Sequence, residues 1–197
     1  MSKRVFDWLA SSFGLLFLMP VLIVLAILIK LDSHGPVFFR QERVGMGGKT
    51  FRIHKFRTMV TNAEQRGLQI TVGTDARVTR VGQWLRKYKL DELPQLLDVW
   101  LGHMSLVGPR PEVPRYVACY PAAVRDLVLS VRPGITDKAS IEFKDENLIL
   151  GRAADPNRTY VEEVLPIKLA YYQEYVNSRS FFGDIDLILK TLRALAR

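Results

Sequence analysis

Two adjacent carboxylates, Asp91 and Glu92, stand in the stretch Leu90-Asp91-Glu92-Leu93-Pro94-Gln95, and an apolar run follows them (Leu96, Leu97, Val99, Trp100, Leu101). Proline is accepted in the first turn of a helix, where its missing N–H is not needed, and rejected in later turns. The spacing therefore predicts a helix that starts at Asp91 or Glu92. Both acids then sit at the positive end of a helix dipole, which favours their charged forms. Basic residues approach from both directions along the chain: Arg80, Arg86, Lys87 and Lys89 before the pair, Arg110 and Arg115 after it. Ionised carboxylates in a basic surround suit a metal-assisted reaction on a phosphate. A helix cap with surface charges would use the same residue types, so the elements around the pair decide between the two.

Arg110 lies between Pro109 and Pro111, which restrict the backbone on both sides. A rigid loop presenting one guanidinium can grip a phosphate or carboxylate in a forked pair; a structural turn with a surface arginine fits the local sequence equally well. Arg86 precedes Asp91 by five residues and can reach the same cleft. Lys55 and Arg57 are two cations two residues apart in Lys55-Phe56-Arg57-Thr58-Met59. A solvated strand edge accounts for them as well as a binding site does.

The elements that must hold these groups begin with a hairpin. Residues 37–44 and 50–56 alternate apolar and polar side chains around Gly45-Met46-Gly47-Gly48-Lys49, which predicts two antiparallel strands and a glycine turn. One face is expected on the domain and the other to carry Arg43, Arg52 and Lys55. The glycines lack the lysine-serine ending of a phosphate loop and are read as the turn. Val60 to Arg66 predicts a short helix, followed by an open loop around Gly73-Thr74-Asp75. Residues 77–88 predict a helix with Val81, Trp84, Leu85 and Tyr88 on one face. Val113 to Val131 and Tyr160 to Tyr175 predict helices, with the charged stretch Asp137 to Asn157 less regular. The last helix, from Ile185 to Leu195, has an apolar stripe and basic residues, which suits an anionic lipid surface or packing on the core.

From Trp8 to Ile29 the chain is almost uncharged and Leu15 to Ile29 is apolar throughout. Such a helix is long enough for a hydrocarbon core of about 30 Å. A small-residue cleavage site does not follow it, which argues against a signal peptide. Lys3 and Arg4 stand before it and Lys30, Arg40 and Arg43 after it, so charge gives no orientation. Pro20 in its middle allows a kinked spanning helix or one that bends and leaves by the face it entered; Ser11 or Ser12 would satisfy freed backbone groups. Asp7 needs a partner there, and Arg4 is the nearest cation.

The 197 residues suffice for one domain with a core and an appendage. A net charge of +8 favours nucleic acid, anionic headgroups or phosphorylated substrates. Cys119, the single cysteine, excludes an internal disulfide and fits a reducing compartment. His34, His54 and His103 are scattered, without zinc spacing. A membrane-tethered basic protein that binds nucleic acid or anionic lipid is the competing class. It predicts stripes of Lys and Arg with interleaved aromatics and needs no carboxylates among them; Asp91 and Glu92 argue against it.

Taken together, these stretches resemble the bacterial sugar transferases, the monotopic phosphoglycosyl transferases. The resemblance covers nearly the whole chain and rests on K-R-x-x-D at Lys3 to Asp7, G-P-V-F-F-R-Q-E-R-V-G at 35–45, K-F-R-T-M at 55–59, R-x-T-R-x-G-x-x-L-R at 77–86, L-D-E-L-P-Q at 90–95, M-S-L-V-G-P-R-P-E at 104–112 and R-P-G-I-T at 132–136. It implies transfer of a sugar-1-phosphate from a UDP-sugar to polyprenyl (undecaprenyl) phosphate, with release of UMP. It also implies Mg²⁺, a covalent phosphosugar on Asp91, and attachment to the cytoplasmic face of the bacterial inner membrane through a proline-bent re-entrant helix. The expected fold is α+β: a mainly helical cytosolic domain (32–197) with a small hairpin and an amphipathic C-terminal helix, anchored by residues 1–31. The expected roles are Asp91 as nucleophile and metal-proximal acid, Glu92 as its assistant at the metal or the acceptor's proton, and Arg110, Arg86, Lys55 and Arg57 as phosphate-binding groups. The partners are UDP-sugar, polyprenyl phosphate and membrane lipid, with no nucleic acid; assembly as a homo-oligomer is left open.

Three departures stand out. The family often has Ser-Pro at the bend where this chain has Met19-Pro20, Asp where it has His103, and G-I-T-G-x-A-Q-V where it has Gly134 to Ile141. A role that needs the missing acid does not transfer.

Overall fold

A computed structural model describes residues 3–63, 75–143 and 146–195. As the pattern of apolar residues predicts, the described chain is mostly helical with small sheets. The helices are α1 (Lys3–Asp32), α2 (Arg80–Lys87), α3 (Gln95–Leu101), α4 (Pro114–Val117), α5 (Ala122–Val128), α6 (Lys138–Glu142), α7 (Glu146–Gly151), α8 (Pro156–Thr159), α9 (Leu165–Ser178) and α10 (Phe181–Leu195). The strands are β1 (Phe38–Phe39), β2 (Glu42–Val44), β3 (Thr50–Arg52), β4 (Lys55–Phe56), β5 (Ser105–Val107) and β6 (Gly134–Thr136).

α1 is one helix of 30 residues that runs through Pro20. It is long and apolar enough to cross a membrane. Yet it touches the rest of the chain along its whole length. Near its start, Arg4 donates to the carbonyls of Val99 (2.6 Å) and Trp100 (2.9 Å) at the C-terminal end of α3, and Lys3 pairs with Asp184. Asp7 takes the Ser105 hydroxyl at 2.8 Å and the Leu106 amide at 3.2 Å. Its partners are therefore polar groups of β5 and not Arg4. In the middle, Gly14 lies against Leu96. At the far end Leu25 and Ile29 pack with Phe56, Leu85, Leu90 and Leu93, and Asp32 accepts from the Val81 amide at 3.1 Å. The opposite face carries Phe13, Leu16, Phe17 and Leu31, each more than two-thirds exposed. Ser11 and Ser12 both donate to the Trp8 carbonyl, one turn back. They do not serve the Leu16 carbonyl that Pro20 leaves without its helical donor.

The hairpin forms in a single register, from Phe38↔Phe56 to Val44↔Thr50, interrupted in the middle and bridged there by Ile53 N–H to Gln41 C=O at 3.0 Å. Gly47 and Gly48 have φ of 68° and 76°, which is why the turn needs glycine. With a period of two, Arg43 opposite Phe51 alternates with Arg52 opposite Glu42, yet Arg43, Arg52 and Lys55 all line one cleft, as expected. Val60 to Asn62 form a turn and no helix; the remainder of the predicted helix at 64–66 and the loop at 73–74 fall outside the described residues.

Three further expectations change. The helix predicted over 113–131 is two helices, because Pro121 cannot extend α4 and its predecessor is pushed out of the helical region. The helix at 160–175 starts earlier, at Pro156. It passes through a π turn (Tyr160–Val164) just before Pro166 and ends at Ser178. On α2, Val81 and Leu85 face inward, but Trp84 and Tyr88 are each 46% exposed and meet edge to face. The main core gathers Tyr116, Tyr160, Leu165, Leu169 and Tyr172. α10 uses both of its expected faces: it packs on α6, β5 and β6 while Phe182, Leu189 and Leu192 remain exposed.

β5 and β6 pair in parallel, Ser105↔Gly134 and Val107↔Thr136. A side chain on Gly134 would collide with the Gly108 backbone at 2.1 Å, so only glycine lets the two loops cross this closely. The crossing fixes the Arg110 loop against 132–136, with Gly134 N–H donating to Pro109 C=O at 2.9 Å.

Candidate active site

The carboxylate pair does not open α3 as expected. Lys89 turns left-handed (φ 55°), Leu90–Glu92 form a 3₁₀ turn, and Leu93 and Pro94 continue in helical conformation into α3. The i→i+3 bonds Glu92 N–H to Lys89 C=O and Leu93 N–H to Leu90 C=O tighten this turn. Leu90 and Leu93 pack on the cluster that Leu25 and Ile29 of α1 form with Phe56 and Leu85. The acids are therefore anchored to the long apolar helix by their own neighbours.

Glu92 Oε1 accepts from Lys55 Nζ at 2.8 Å and from Arg110 Nη2, an ion pair across three segments. Its side chain is 17% exposed. Burial opposes its charge, but Arg110 and Lys55 outweigh burial and hold the carboxyl well below the ordinary glutamate value. Burial pulls Lys55 below the usual lysine range, and Glu92 counteracts it. Asp91 differs. Burial pushes its carboxyl upward, Lys55 opposes the shift and Glu92 adds to it. The downward shift of Glu92 runs with the dipole argument, whereas burial shifts Asp91 the other way. Asp91 Oδ1 is buried and has no hydrogen-bond partner among the described residues.

A cleft of about 640 Å³ opens beside Asp91 between the hairpin and the segment 57–63. Lys55, Arg43, Arg57, Arg77 and Arg86 line it, and Asp91 is its one acid among the described residues. Lys55, Arg86 and Asp91 thus share one cavity, and Arg110 joins them through Glu92. Arg57 is placed differently from expectation. Its guanidinium donates to the carbonyls of His34 (2.5 Å) and Ser33 (2.7 Å), and to Ile29 at 3.4 Å, closing the C-terminal end of α1. Arg115 is exposed and lies over its neighbour Tyr116.

Behind Arg110 is an ionic network that the sequence did not reveal. Arg43 donates to the Pro111 carbonyl at 2.9 Å and stands 3.6 Å from Glu112. Glu112 accepts from Tyr160 OH and lies 3.6 Å from Lys168, which bonds Glu146 at 2.9 Å. Another buried pair joins the hairpin to α3: Asp98 accepts from the His54 amide at 2.8 Å and meets His54 Nδ1 at 2.7 Å. Glu112 follows Pro111 directly, which was a local hint; the partners of these groups lie 22 to 69 residues away along the chain.

A basic cleft thus has one carboxylate in its wall, on a turn bound to an exposed apolar helix. The model of the bacterial sugar transferase family matches residues 1–197, and the chain belongs to that family. It is 40% identical over 195 residues to the UDP-N-acetylgalactosamine-undecaprenyl-phosphate N-acetylgalactosaminephosphotransferase of Aeromonas hydrophila, covering 98% of this chain and 43% of that protein. It is 38% identical over 199 residues to the undecaprenyl-phosphate glucose phosphotransferase of Komagataeibacter xylinus, covering 98% and 35%. It is 36% identical over 195 residues to the UDP-glucose:undecaprenyl-phosphate glucose-1-phosphate transferase of Caulobacter vibrioides, covering 98% and 69%. The chain thus spans under half the length of the first two relatives.

Proposed function

We propose that the protein is a phosphoglycosyl transferase that moves a sugar-1-phosphate from a UDP-sugar to polyprenyl phosphate, at the cytoplasmic face of the bacterial inner membrane. The observation that carries this is Asp91: the acid of a cation-lined cleft, with a free buried oxygen, on a turn packed against α1. The relatives' printed names supply the donor and acceptor classes.

Asp91 attacks the phosphorus that bears the sugar. The bond from that phosphorus to the bridging oxygen breaks, UMP leaves with the electron pair, and an aspartyl phosphosugar remains. A phosphate oxygen of the polyprenyl phosphate then attacks the same phosphorus and expels the Asp91 carboxylate, giving polyprenyl-diphosphate-sugar. The covalent intermediate lets a soluble donor and a lipid acceptor visit separately. Arg110, Lys55 and Arg86 bind phosphate oxygens and stabilise developing charge. Glu92 keeps Lys55 and Arg110 in place. Its Oε1 takes both cations, so Glu92 serves the transfer first as a holder. Arg57 supports the cleft wall from the end of α1.

Among the described residues no group of three or more His, Cys, Asp or Glu side chains comes together as a metal cage. Mg²⁺ is usually held by one or two carboxylates with substrate phosphates and water, and Asp91 Oδ1 is a free ligand of that kind. Bound there, it would offset diphosphate charge that otherwise repels a carboxylate nucleophile.

The attachment of both ends of α1 to one body supports a helix that enters and leaves the same membrane face. Straight, it would be about 45 Å long, and spanning would part Lys3 from Asp184. The competing nucleic-acid or anionic-lipid binder does not account for the Glu92 clamp. Incubation with a UDP-sugar panel, Mg²⁺ and polyprenyl phosphate should release UMP; no release from any donor would refute the reaction.

A further inference from the structure

Gln95 is 0% exposed, and neither Nε2 nor Oε1 of its amide has a hydrogen-bond partner among the described residues. A buried amide left unpaired is costly, and an apolar residue of the same shape would pack there without that cost. The polar groups on either side along the helix are engaged. Glu92 Oε1 holds Lys55 and Arg110, and both oxygens of Asp98 hold His54. Asp91 Oδ1 is also buried and unpaired, and it is a complementary acceptor close by along the chain. Asp91 and Gln95 are four residues apart on a continuous helical path, the spacing at which aspartate and glutamine side chains hydrogen-bond. One donor and one acceptor, both without partners, therefore lie within a turn of each other.

We propose that Gln95 is a positioning residue for the nucleophile: its Nε2–H donates to Asp91 Oδ1, directly after a side-chain rotation or through one buried water, and aims the other oxygen at the donor's phosphorus. This rests on Asp91 being the nucleophile of the proposed transfer. The amide touches no reacting atom. It acts by limiting the rotamers of Asp91, so its loss slows formation of the phosphosugar adduct and leaves donor binding unchanged.

The test compares Gln95→Met, which keeps the shape without the donor, with Asp91→Ala and the double variant, all in the full-length chain. Gln95→Met should lower kcat for UMP release about tenfold, the effect of losing one hydrogen bond, at unchanged donor KM. In thermal melts that need no substrate, the double variant's Tm should differ from the sum of the two single shifts, because paired groups are not additive. Additive shifts would overturn the pairing whatever the activity. So would a Gln95→Met enzyme with unchanged kcat, or one whose kcat loss matches only its unfolded fraction. If wild type released no UMP, the reaction would fail while the melting cycle still decided the pairing. If Gln95→Met does not fold, Gln95→Glu assayed for kcat and KM substitutes: an unchanged kcat overturns the proposal, and a lowered kcat at constant KM supports it.

Discussion

Arg110, between its two prolines, is ion-paired with Glu92 and not with its neighbour Asp91. One carboxylate of the adjacent pair is thereby clamped, and the other is left with an unpartnered oxygen at the cleft. Burial acts on both acids, but the clamp sends their pKa values in opposite directions, Glu92 down and Asp91 up. The side-by-side Asp-Glu pair thus divides into a clamped acid and an unclamped one.

Removing the holder should damage both stability and rate. Glu92→Gln leaves Lys55 and Arg110 without their counter-ion, which costs about 2 kcal/mol for a largely buried pair. Donor KM should rise and kcat/KM fall about a hundredfold, because two phosphate-binding cations lose their positions. Steady-state kinetics with denaturant melts would show this, and unchanged kinetics would contradict the clamp.

The pH dependence of stability separates the acids. Glu92 has a depressed value in the fold, so its stabilisation is complete above the unfolded glutamate pKa of about 4.3 and is lost as pH falls through the folded value. Asp91 is raised by burial, so it costs stability as pH climbs from about 3.9, the unfolded aspartate value, through its folded value. Asp91→Asn should therefore melt above wild type at pH 7, with the gap closing near pH 4. Glu92→Gln should melt below wild type at pH 7, and that gap also shrinks on acidification. Melts between pH 3 and 8 distinguish the three curves.

Arg57 predicts a contrast with Arg110. Its bonds to the carbonyls at the end of α1 mean that Arg57→Met should cost about 2 kcal/mol and leave donor KM near wild type in the folded fraction. Arg110→Lys loses the planar fork; it should keep the fold and raise donor KM. Melting and kinetics on the two variants give opposite profiles if the assignments hold.

Chelation should act on chemistry alone. With no three-ligand cage among the described residues, EDTA should abolish UMP release without moving Tm, and added Mg²⁺ should restore it. A fall in Tm on chelation would point to a structural metal instead.

The placement of α1 can be read by thiol labelling. In a Cys119→Ser background, Lys3→Cys and Ser33→Cys should react with an impermeant reagent from the same side of sealed membrane vesicles. Reaction from opposite sides would establish a spanning helix.

The sequence disclosed what is local or periodic. The glycine turn, alternating strands and apolar length of α1 were visible because period and punctuation encode them. The grouping of Lys55, Glu92 and Arg110 came from motif resemblance and from charges near Asp91. Misplaced elements had identifiable causes. The apolar pattern runs on across 113–131, whereas Pro121 cannot extend α4 and divides the stretch into two helices. Trp84 and Tyr88 fit a helical stripe that the fold leaves outside. Arg57 lines the cleft, but its bonds to backbone carbonyls at the end of α1 are marked by no sequence pattern. The Glu112–Tyr160–Lys168 network and the His54–Asp98 pair are long-range contacts, determined by packing of separate elements.

The most direct test is to trap the enzyme with UDP-sugar and Mg²⁺ before acceptor is added and to map the adduct by mass spectrometry. The account predicts a phosphosugar on the peptide that contains Asp91, lost in Asp91→Asn and discharged by polyprenyl phosphate. An adduct on another residue, or UMP release by Asp91→Asn at the wild-type rate, would contradict it.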